Sequence, residues 1–273
     1  MQGTSVSLPK NGLVTAHDVP PADPALLAAA KEICLEAGQF TLQHFRDLEL
    51  SVEHKGDGTP VTIADLGAER LMRERIAELY PEDTIVGEEE ETFEGTSQRR
   101  WVVDPIDGTF SFTYGVALYC NLLYVEDEHG PAVGVINIPA IGEICAAGRG
   151  LGATLNDVAC RVSDRRELRG SLLTTSAFEH WDPDMLGRVR EAGIHMRTWG
   201  DGFGYVLVAS GRAEAMVDPE ISVWDIAPCR VIIPEAGGRC SSFDGVDALE
   251  VPDFVATNGA MHETVLEMLN GST

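Results

Sequence analysis

Residues 101–114 read WVVDPIDGTFSFTY, and the rest of the chain is best understood from this segment outward. The apolar run Trp101-Val102-Val103 has the look of a short buried strand, and Asp104, Pro105, Ile106, Asp107, Gly108 and Thr109 follow at once. Pro105 cannot donate a ladder hydrogen bond and biases Asp104 away from the helical region, so the strand is expected to end there and the loop to turn through Gly108. Two carboxylates and a hydroxyl thus stand at a strand's exit. Asp residues three apart in such a turn can both point at one hard cation, with the Ile106 backbone carbonyl between them as a third oxygen. The same residues also suit a turn whose Asp side chains cap the backbone of the next helix.

Upstream, Asp23 reads as an N-cap with Pro24 at the first helical position, and apolar residues from Leu26 to Phe45 recur at helical spacing. Residues 48–54 alternate like a strand, KGDGTP is a loop, and Thr62 opens a second helix that runs to Tyr80-Pro81. Thr62 with Asp65 three residues on forms a capping-box pattern, a structural role for Asp65. Residues 84–86 make a short strand ending at Gly87. Of the Glu88-Glu89-Glu90-Glu91 run that follows, the first faces a site and the others face water on this reading. The polar segment 92–100 is a candidate mobile flap.

Downstream, residues 119–155 read as an antiparallel meander, with GRGLGA as a hairpin corner because no helix pattern follows it. Strands at 171–175, 194–198, 213–217 and 254–257 alternate with helices at 183–192, 203–210, from Val223 to the stop at Gly237-Gly238, and 261–269. Asp201 stands near one helix start, and Asp225 lies in the first turn of another, where the helix dipole favours a carboxylate. Strands outnumber those of a simple βαβ alternation and come in blocks, so an α+β layered sandwich is expected. Residues 1–22 are read as a flexible N-terminal arm, and 23–273 as a single domain with approximate halves 23–160 and 161–273.

The 273 residues carry a net charge of −24, which argues against nucleic acid or an anionic membrane as partner and makes cations the natural ligands. With 44% hydrophobic residues the chain can bury a sizeable core. Six scattered cysteines without a C-x-x-C pair point to neither a zinc cluster nor a disulfide scaffold, and to a reduced, cytoplasmic protein. No apolar run approaches the roughly 20 residues that span a bilayer, and the N-terminus lacks a signal-peptide core.

Glu88, Asp104 with Asp107, and Asp225 are acidic positions at element ends far apart in sequence, the oxygen-donor set that hard cations such as Mg²⁺ require. The segments GEE (87–89), WVVDPIDGT (101–109), and WDIA (224–227) with EAGG (235–238) resemble, in this order, the signatures of the inositol monophosphatase family of Mg²⁺-dependent, lithium-sensitive phosphatases. The resemblance covers roughly residues 25–270. It implies a layered αβαβα sandwich of the inositol monophosphatase/fructose-bisphosphatase type, and a homodimer. It also implies Glu88, Asp104, the Ile106 carbonyl, Asp107 and Asp225 as ligands for two or three Mg²⁺ ions. Asp65 and Thr109 would orient the attacking water, with Glu88 and Lys55 beside it, and the Gly108 and Thr109 amides would cradle the phosphate. Three positions depart from the family pattern: Ser111 where Asn is common, Pro228 where a small residue follows WDIA, and Asp218 where a Glu often contacts substrate.

The activity so implied is attack of a metal-activated water on a small phosphate monoester. The segment GDGFGYVLVASGRAEAMVDPEISVWDIAP (200–228) is similar to the histidinol-phosphatase branch of the family. Histidinol phosphate carries an ammonium and an imidazole that favour carboxylate partners, and Asp201, Asp218 and Glu220 flank the expected entrance, with Asp225 at the phosphate side. Inositol 1-phosphate is the alternative substrate, followed by other small sugar or nucleotide phosphates. A dehalogenase-type phosphatase with an Asp nucleophile needs D-x-D-G-T, and here the two Asp residues are three apart. A glycosidase has no need of Asp225 at a helix start, and a metal-binding homologue without catalysis has no need of Asp65 and Thr109.

Overall fold

The computed structural model describes residues 19–47, 51–54, 56 and 60–271. Helix α1 (Pro24–Leu42) begins as its sequence dictates, with the Asp23 carboxylate accepting the Ala25 N–H at 2.8 Å and Pro24 occupying the first turn, where its missing N–H costs nothing. Strands β1 (Val52–His54) and β2 (Pro60–Thr62) pair antiparallel as a small hairpin. Lys55 lies outside the described residues. Helix α2 (Ile63–Leu79) starts from a complete capping box: the Asp65 carboxylate accepts the Thr62 N–H at 2.8 Å, and Thr62 Oγ1 accepts the Ala64 N–H at 3.1 Å.

The main sheet follows. Strand β3 (Thr84–Gly87) lies parallel to β4 (Arg100–Asp107); after the short helix α3 (Thr109–Thr113) the chain continues antiparallel through β5 (Cys120–Asp127), β6 (Gly130–Ile138), β7 (Glu143–Gly148), β8 (Gly152–Leu155) and β9 (Val158–Ala159), in sheet order β3-β4-β5-β6-β7-β8-β9. The expected meander is therefore present, with GRGLGA at the β7–β8 corner.

The remaining elements are β10 (Leu172–Thr174), α4 (Pro183–Glu191), β11 (His195–Arg197), α5 (Asp201–Ala209), β12 (Ala215–Asp218), α6 (Val223–Ile226), α7 (Cys229–Glu235), β13 (Arg239–Ser241), β14 (Phe254–Thr257) and α8 (His262–Asn270). The five strands among them form a second sheet ordered β11-β10-β12-β14-β13.

Alternation of side chains across the two sheets produces the layers. Trp101, Val103, Leu123, Val125, Val133 and Val135 pack under α1 and α2 with Leu26, Ile33, Met72 and Ile76. Their chain neighbours Val102, Leu122, Tyr124 and Ile136 point the other way, onto α5 and α7, which meet Met216 and Ala256 of the second sheet on their far side. Val217 and Val255, again one residue over, face α4 and α8 through Val189, Val265 and Leu269. The order is helix pair, seven-stranded sheet, helix layer, five-stranded sheet, helix pair, an αβαβα sandwich as expected. Burial of both sheet faces explains why β4 reads as a continuous apolar run, not an alternating one. Trp101 is fully buried and its Nε1 donates to Asp83 at 2.8 Å, so Trp101→Ala would cost about 3–5 kcal/mol.

Three sequence expectations are corrected. The strand does not end at Asp104: β4 continues to Asp107, with its pairing to β5 slipping between Asp104↔Leu122 and Asp107↔Cys120. Three steps on β4 match two on β5, an irregularity that accommodates Pro105 without a ladder N–H, while Asn121 Nδ2 donates to the Pro105 carbonyl at 2.7 Å. The single helix expected after Val223 is broken into α6 and α7 at Ala227-Pro228, because Pro228 has no N–H to continue the ladder. The end of the N-terminal arm is not loose. Ala22 is buried, its N–H donates to the Arg149 carbonyl at 2.8 Å, and the Pro20 carbonyl accepts Arg149 Nε at 2.9 Å.

Candidate active site

The irregular end of β4 puts Asp104 and Asp107 at one end of the main sheet, and α6 delivers Asp225 to the same place from the middle layer. Oxygen atoms of these three carboxylates all lie within 4.8 Å of one another. Each is fixed from behind. Asp104 Oδ1 accepts the Ile106 N–H at 3.0 Å, Asp107 Oδ2 accepts the Gly202 N–H at 2.5 Å, and Asp225 Oδ2 accepts the Ser222 N–H at 2.7 Å as part of a second capping box. The capping and metal-ligating readings of such Asp residues therefore coexist, because a carboxylate has lone pairs enough for both. Glu88, just past β3, stands beside Asp104, since Gly87 pairs with Val103 on β4, and its charge acts on the Asp104 carboxyl.

This cluster is electrostatically unbalanced. Among the described residues, no ion pair joins Asp104, Asp107, Asp201 or Asp225 to a cationic side chain. Burial pushes the Asp104 carboxyl well above the usual carboxylate range, and Glu88, Asp107 and Asp225 push it further. Burial does the same to Asp107, aided by Asp201 and Asp225. Asp225 is raised to about 7, chiefly by burial and against the pull of the Ser222 N–H. Like charges so close cannot all ionise unless a cation enters. The donors are all hard oxygens, which suits Mg²⁺ or Ca²⁺ and excludes a soft metal.

Thr109, the first residue of α3, follows Gly108, which is left-handed at φ 76° as a turn residue without Cβ can be. Its Oγ1 stands 2.9 Å from the Ile106 carbonyl and 3.4 Å from Asp65 Oδ1, so its single proton goes first to Ile106. Asp65 divides its oxygens: Oδ2 holds the Thr62 N–H and hydroxyl at 2.8 and 2.6 Å, and Oδ1 faces Thr109. Both roles expected of Asp65 thus belong to one carboxyl, which burial holds above its ordinary pKa.

Beside the cluster lies a cavity of about 200 Å³ lined by Asp107, Gly108, Ser176, Asp201, Tyr205, Asp218, Glu220, Ile221 and Asp225. Asp201 opens α5 at φ 52°, an unusual left-handed conformation for a residue with a side chain, and its carboxylate lies over Gly108, where a Cβ would be 2.6 Å away. Its pKa is pushed up to about 6 by burial and Asp218, against hydrogen bonds from Ser176 and Ser111. Ser111, one of the departures noted from sequence, is thus engaged with Asp201. Asp218 is more deeply tied: Oδ1 accepts the Ser176 N–H at 2.9 Å and Oδ2 accepts the Tyr205 hydroxyl at 2.8 Å. Glu220 sits at the mouth and pairs with His180 Nδ1 at 2.8 Å. A roomier groove of about 440 Å³ along residues 160–162 and 235–237 shares no lining residue with this cavity, and both Glu235 oxygens there are taken by the Gly150 and Gly152 N–H groups.

The structure therefore gathers Asp65, Glu88, Asp104, Ile106, Asp107, Gly108, Thr109, Asp201, Asp218 and Asp225 around one site. Sequence reasoning missed Ser176 and Tyr205, which anchor Asp218, and His180. For Tyr205 a signal existed, its position one helical turn after Asp201; Ser176 and His180 lie in irregular chain that carries none.

The sequence model of the inositol monophosphatase family matches residues 24–273. A histidinol-phosphatase of Chlorobaculum parvum is 40% identical over 246 residues, which are 88% of this chain and 95% of the relative. A histidinol-phosphatase of Mycobacterium tuberculosis is 37% identical over 261 residues, 91% and 98% of the two chains. Among solved structures, the Thermotoga maritima IMPase superposes with a TM-score of 0.83 at 27% identity, covering 90% of this chain and 97% of that one.

Proposed function

The chain belongs to the inositol monophosphatase family and is a phosphoric monoester hydrolase; from that premise we propose that it depends on Mg²⁺ and takes histidinol phosphate as its preferred substrate. The observation that carries the metal reading is the trio of Asp104 and Asp107, both buried, with Asp225, half-buried, mutually repelling and within 4.8 Å. With Glu88 and the Ile106 carbonyl they would hold the cations. When bound, Mg²⁺ supplies Lewis acidity, which lowers the pKa of water and offsets charge on the phosphoryl group.

The residues around it supply position. The Thr109 hydroxyl and the Asp65 carboxylate, 3.4 Å apart, orient the attacking water, Asp65 being pre-set by its Thr62 contacts. The Gly108 and Thr109 backbone N–H groups, at the start of α3, would cradle the phosphate. Such an arrangement favours direct in-line attack, because a cation held by Asp104, Asp107 and Asp225 would occupy the carboxylates placed to act as nucleophile.

The leaving group would extend into the acidic cavity. Asp201 and Glu220 face it as partners for an ammonium and an imidazolium, while Asp218, with both oxygens bound, shapes its wall through Tyr205 and Ser176. The relatives named histidinol-phosphatase support the same choice. Competition between histidinol phosphate and inositol 1-phosphate for the purified chain tests it. A higher kcat/KM for histidinol phosphate is expected, and preference for inositol 1-phosphate would refute the substrate while leaving the phosphatase in place.

A further inference from the structure

One helical turn after Asp65, α2 carries a second buried carboxylate that the mechanism above does not use. Glu69 is 0% exposed. Its Oε2 accepts the Glu89 N–H at 2.7 Å, and its Oε1 accepts the Glu90 N–H at 3.0 Å and Arg73 Nε at 2.7 Å. Arg73, a further turn along the helix, also donates from Nη2 to the Glu90 carbonyl at 2.9 Å. Gly87 makes room for this: a Cβ there would lie 2.0 Å from Glu69 Oε1.

We propose that Glu69 is a positioning residue for the cation site, clamping with Arg73 the backbone just after Glu88 so that the Glu88 carboxylate is held against Asp104. The proposal rests on the reading of Glu88 as a cation ligand. The need for a clamp follows from charge. Gly87 pairs with Val103 on β4, which sets Glu88 beside the buried Asp104, and two like charges so placed repel each other. Two consecutive backbone N–H groups fixed on one buried carboxylate resist that repulsion. An apolar side chain at 69 could fill the space but could not hold either N–H. The clamp also sorts the four-glutamate run. Glu88 turns inward, the Glu89 and Glu90 amides sit on Glu69, and the Glu90 carboxylate lies 3.7 Å from Arg70 and 3.9 Å from Arg73. Helix α2 thereby serves the site twice, through Asp65 toward Thr109 and through Glu69 toward Glu88.

Glu69→Gln tests this. The amide keeps one acceptor but sets an NH₂ against a backbone N–H and removes the charge facing Arg73. Titration calorimetry of the chelator-stripped chain with Mg²⁺ is expected to show affinity reduced by about 10-fold or more, the usual consequence of losing a partner that orients a ligand. The kcat at saturating Mg²⁺ should fall by less than the affinity, and hydrogen exchange at the Glu89 and Glu90 amides should quicken. Arg73→Lys, which keeps the charge but loses the fork, should weaken Mg²⁺ binding in the same direction and by less. A folded Glu69→Gln protein with wild-type Mg²⁺ affinity would overturn the proposal; should that variant not fold, unchanged Mg²⁺ affinity in Arg73→Lys would do so. Glu88→Gln separates the two readings. If it weakens Mg²⁺ binding and Glu69→Gln does not, the clamp alone falls; if it leaves Mg²⁺ binding unchanged, the ligand assignment and the clamp fall together.

Discussion

Replacing Asp104 by Asn removes one negative charge from the centre of the carboxylate cluster while keeping its shape. Asp104 is 1% exposed, and its oxygen lies within 4.8 Å of those of Asp107 and Asp225. At an effective dielectric of about 20, unit charges at 4.8 Å interact by about 3.5 kcal/mol, and this sets the scale on which Asp104 competes with, or assists, its surroundings. Without cations the charge is a liability, since Glu88, Asp107 and Asp225 all oppose it. With divalent cations the same charge becomes attractive, and losing it should remove about 4 kcal/mol of transition-state stabilisation, on the order of 10³-fold in kcat/KM. The substitution should therefore act in opposite directions on two readouts. In EDTA the melting temperature of Asp104→Asn should equal or exceed that of the wild type, and in saturating Mg²⁺ the order should reverse. Phosphate release and thermal melts on the same preparations measure both. Near wild-type activity at saturating Mg²⁺, or a variant less stable than wild type in EDTA, would refute the view of Asp104 as a charge held in place for a cation.

Thr109→Ala deletes the hydroxyl that lies 2.9 Å from the Ile106 carbonyl and 3.4 Å from Asp65, and kcat should drop by about 10²-fold with little change in Mg²⁺ affinity by calorimetry; lost Mg²⁺ binding with a normal metal-saturated rate would contradict its role. Glu220→Gln removes an exposed carboxylate at the cavity mouth, so KM for histidinol phosphate should rise about 5-fold at most, as for one solvent-exposed charge pair, while KM for inositol 1-phosphate stays put. Equal shifts for both substrates would show that Glu220 does not read the leaving group's charge. The pH dependence of stability follows from Asp225 and Asp201, raised to about 7 and about 6 from 3.8. Folding favours their protonated forms, so their contribution is fully present below pH 4 and is lost as pH rises through 6 and 7. Metal-free protein should accordingly melt lower at pH 8 than at pH 5, and added Mg²⁺ should raise the melting point most at pH 8, where the ligands are deprotonated; a metal-free melting point that climbs across this range would show that the cluster is not under repulsion.

A layered α+β sandwich was legible because strands come in blocks and α1 and α2 announce themselves through Asp23-Pro24 and the Thr62–Asp65 capping box, whereas the αβαβα order rested on the family resemblance. The caps are local signals, and local chemistry decided the outcome. The continuation of β4 past Pro105 was not legible, since the slip that admits a proline depends on where β5 pairs and on Asn121, fourteen residues beyond Asp107. The break at Pro228 was written in the sequence as a proline inside a helical pattern, yet the apolar periodicity resuming at Val231 outweighed it. At the site, residues at element ends were readable because strand exits and first helical turns point side chains toward a shared edge. Glu69 was not singled out: in sequence it is one more acid on an amphipathic helix, and only the packing of Gly87 against it shows that it reaches beneath another loop. The cavity acids divided in the same manner. Asp218 reads from sequence as an acid flanking the substrate entrance, yet its oxygens are held by Ser176 and Tyr205, contacts between segments 13 to 42 residues apart.

The central claim is that the carboxylate cluster is a cation site without which the chain does not hydrolyse phosphate monoesters, and its most direct test is phosphate release from histidinol phosphate by chelator-stripped protein titrated with Mg²⁺. Turnover should be absent at zero Mg²⁺, rise and saturate as the cation is added, and vanish again with excess EDTA. Release at the same rate in EDTA as in Mg²⁺ would contradict it.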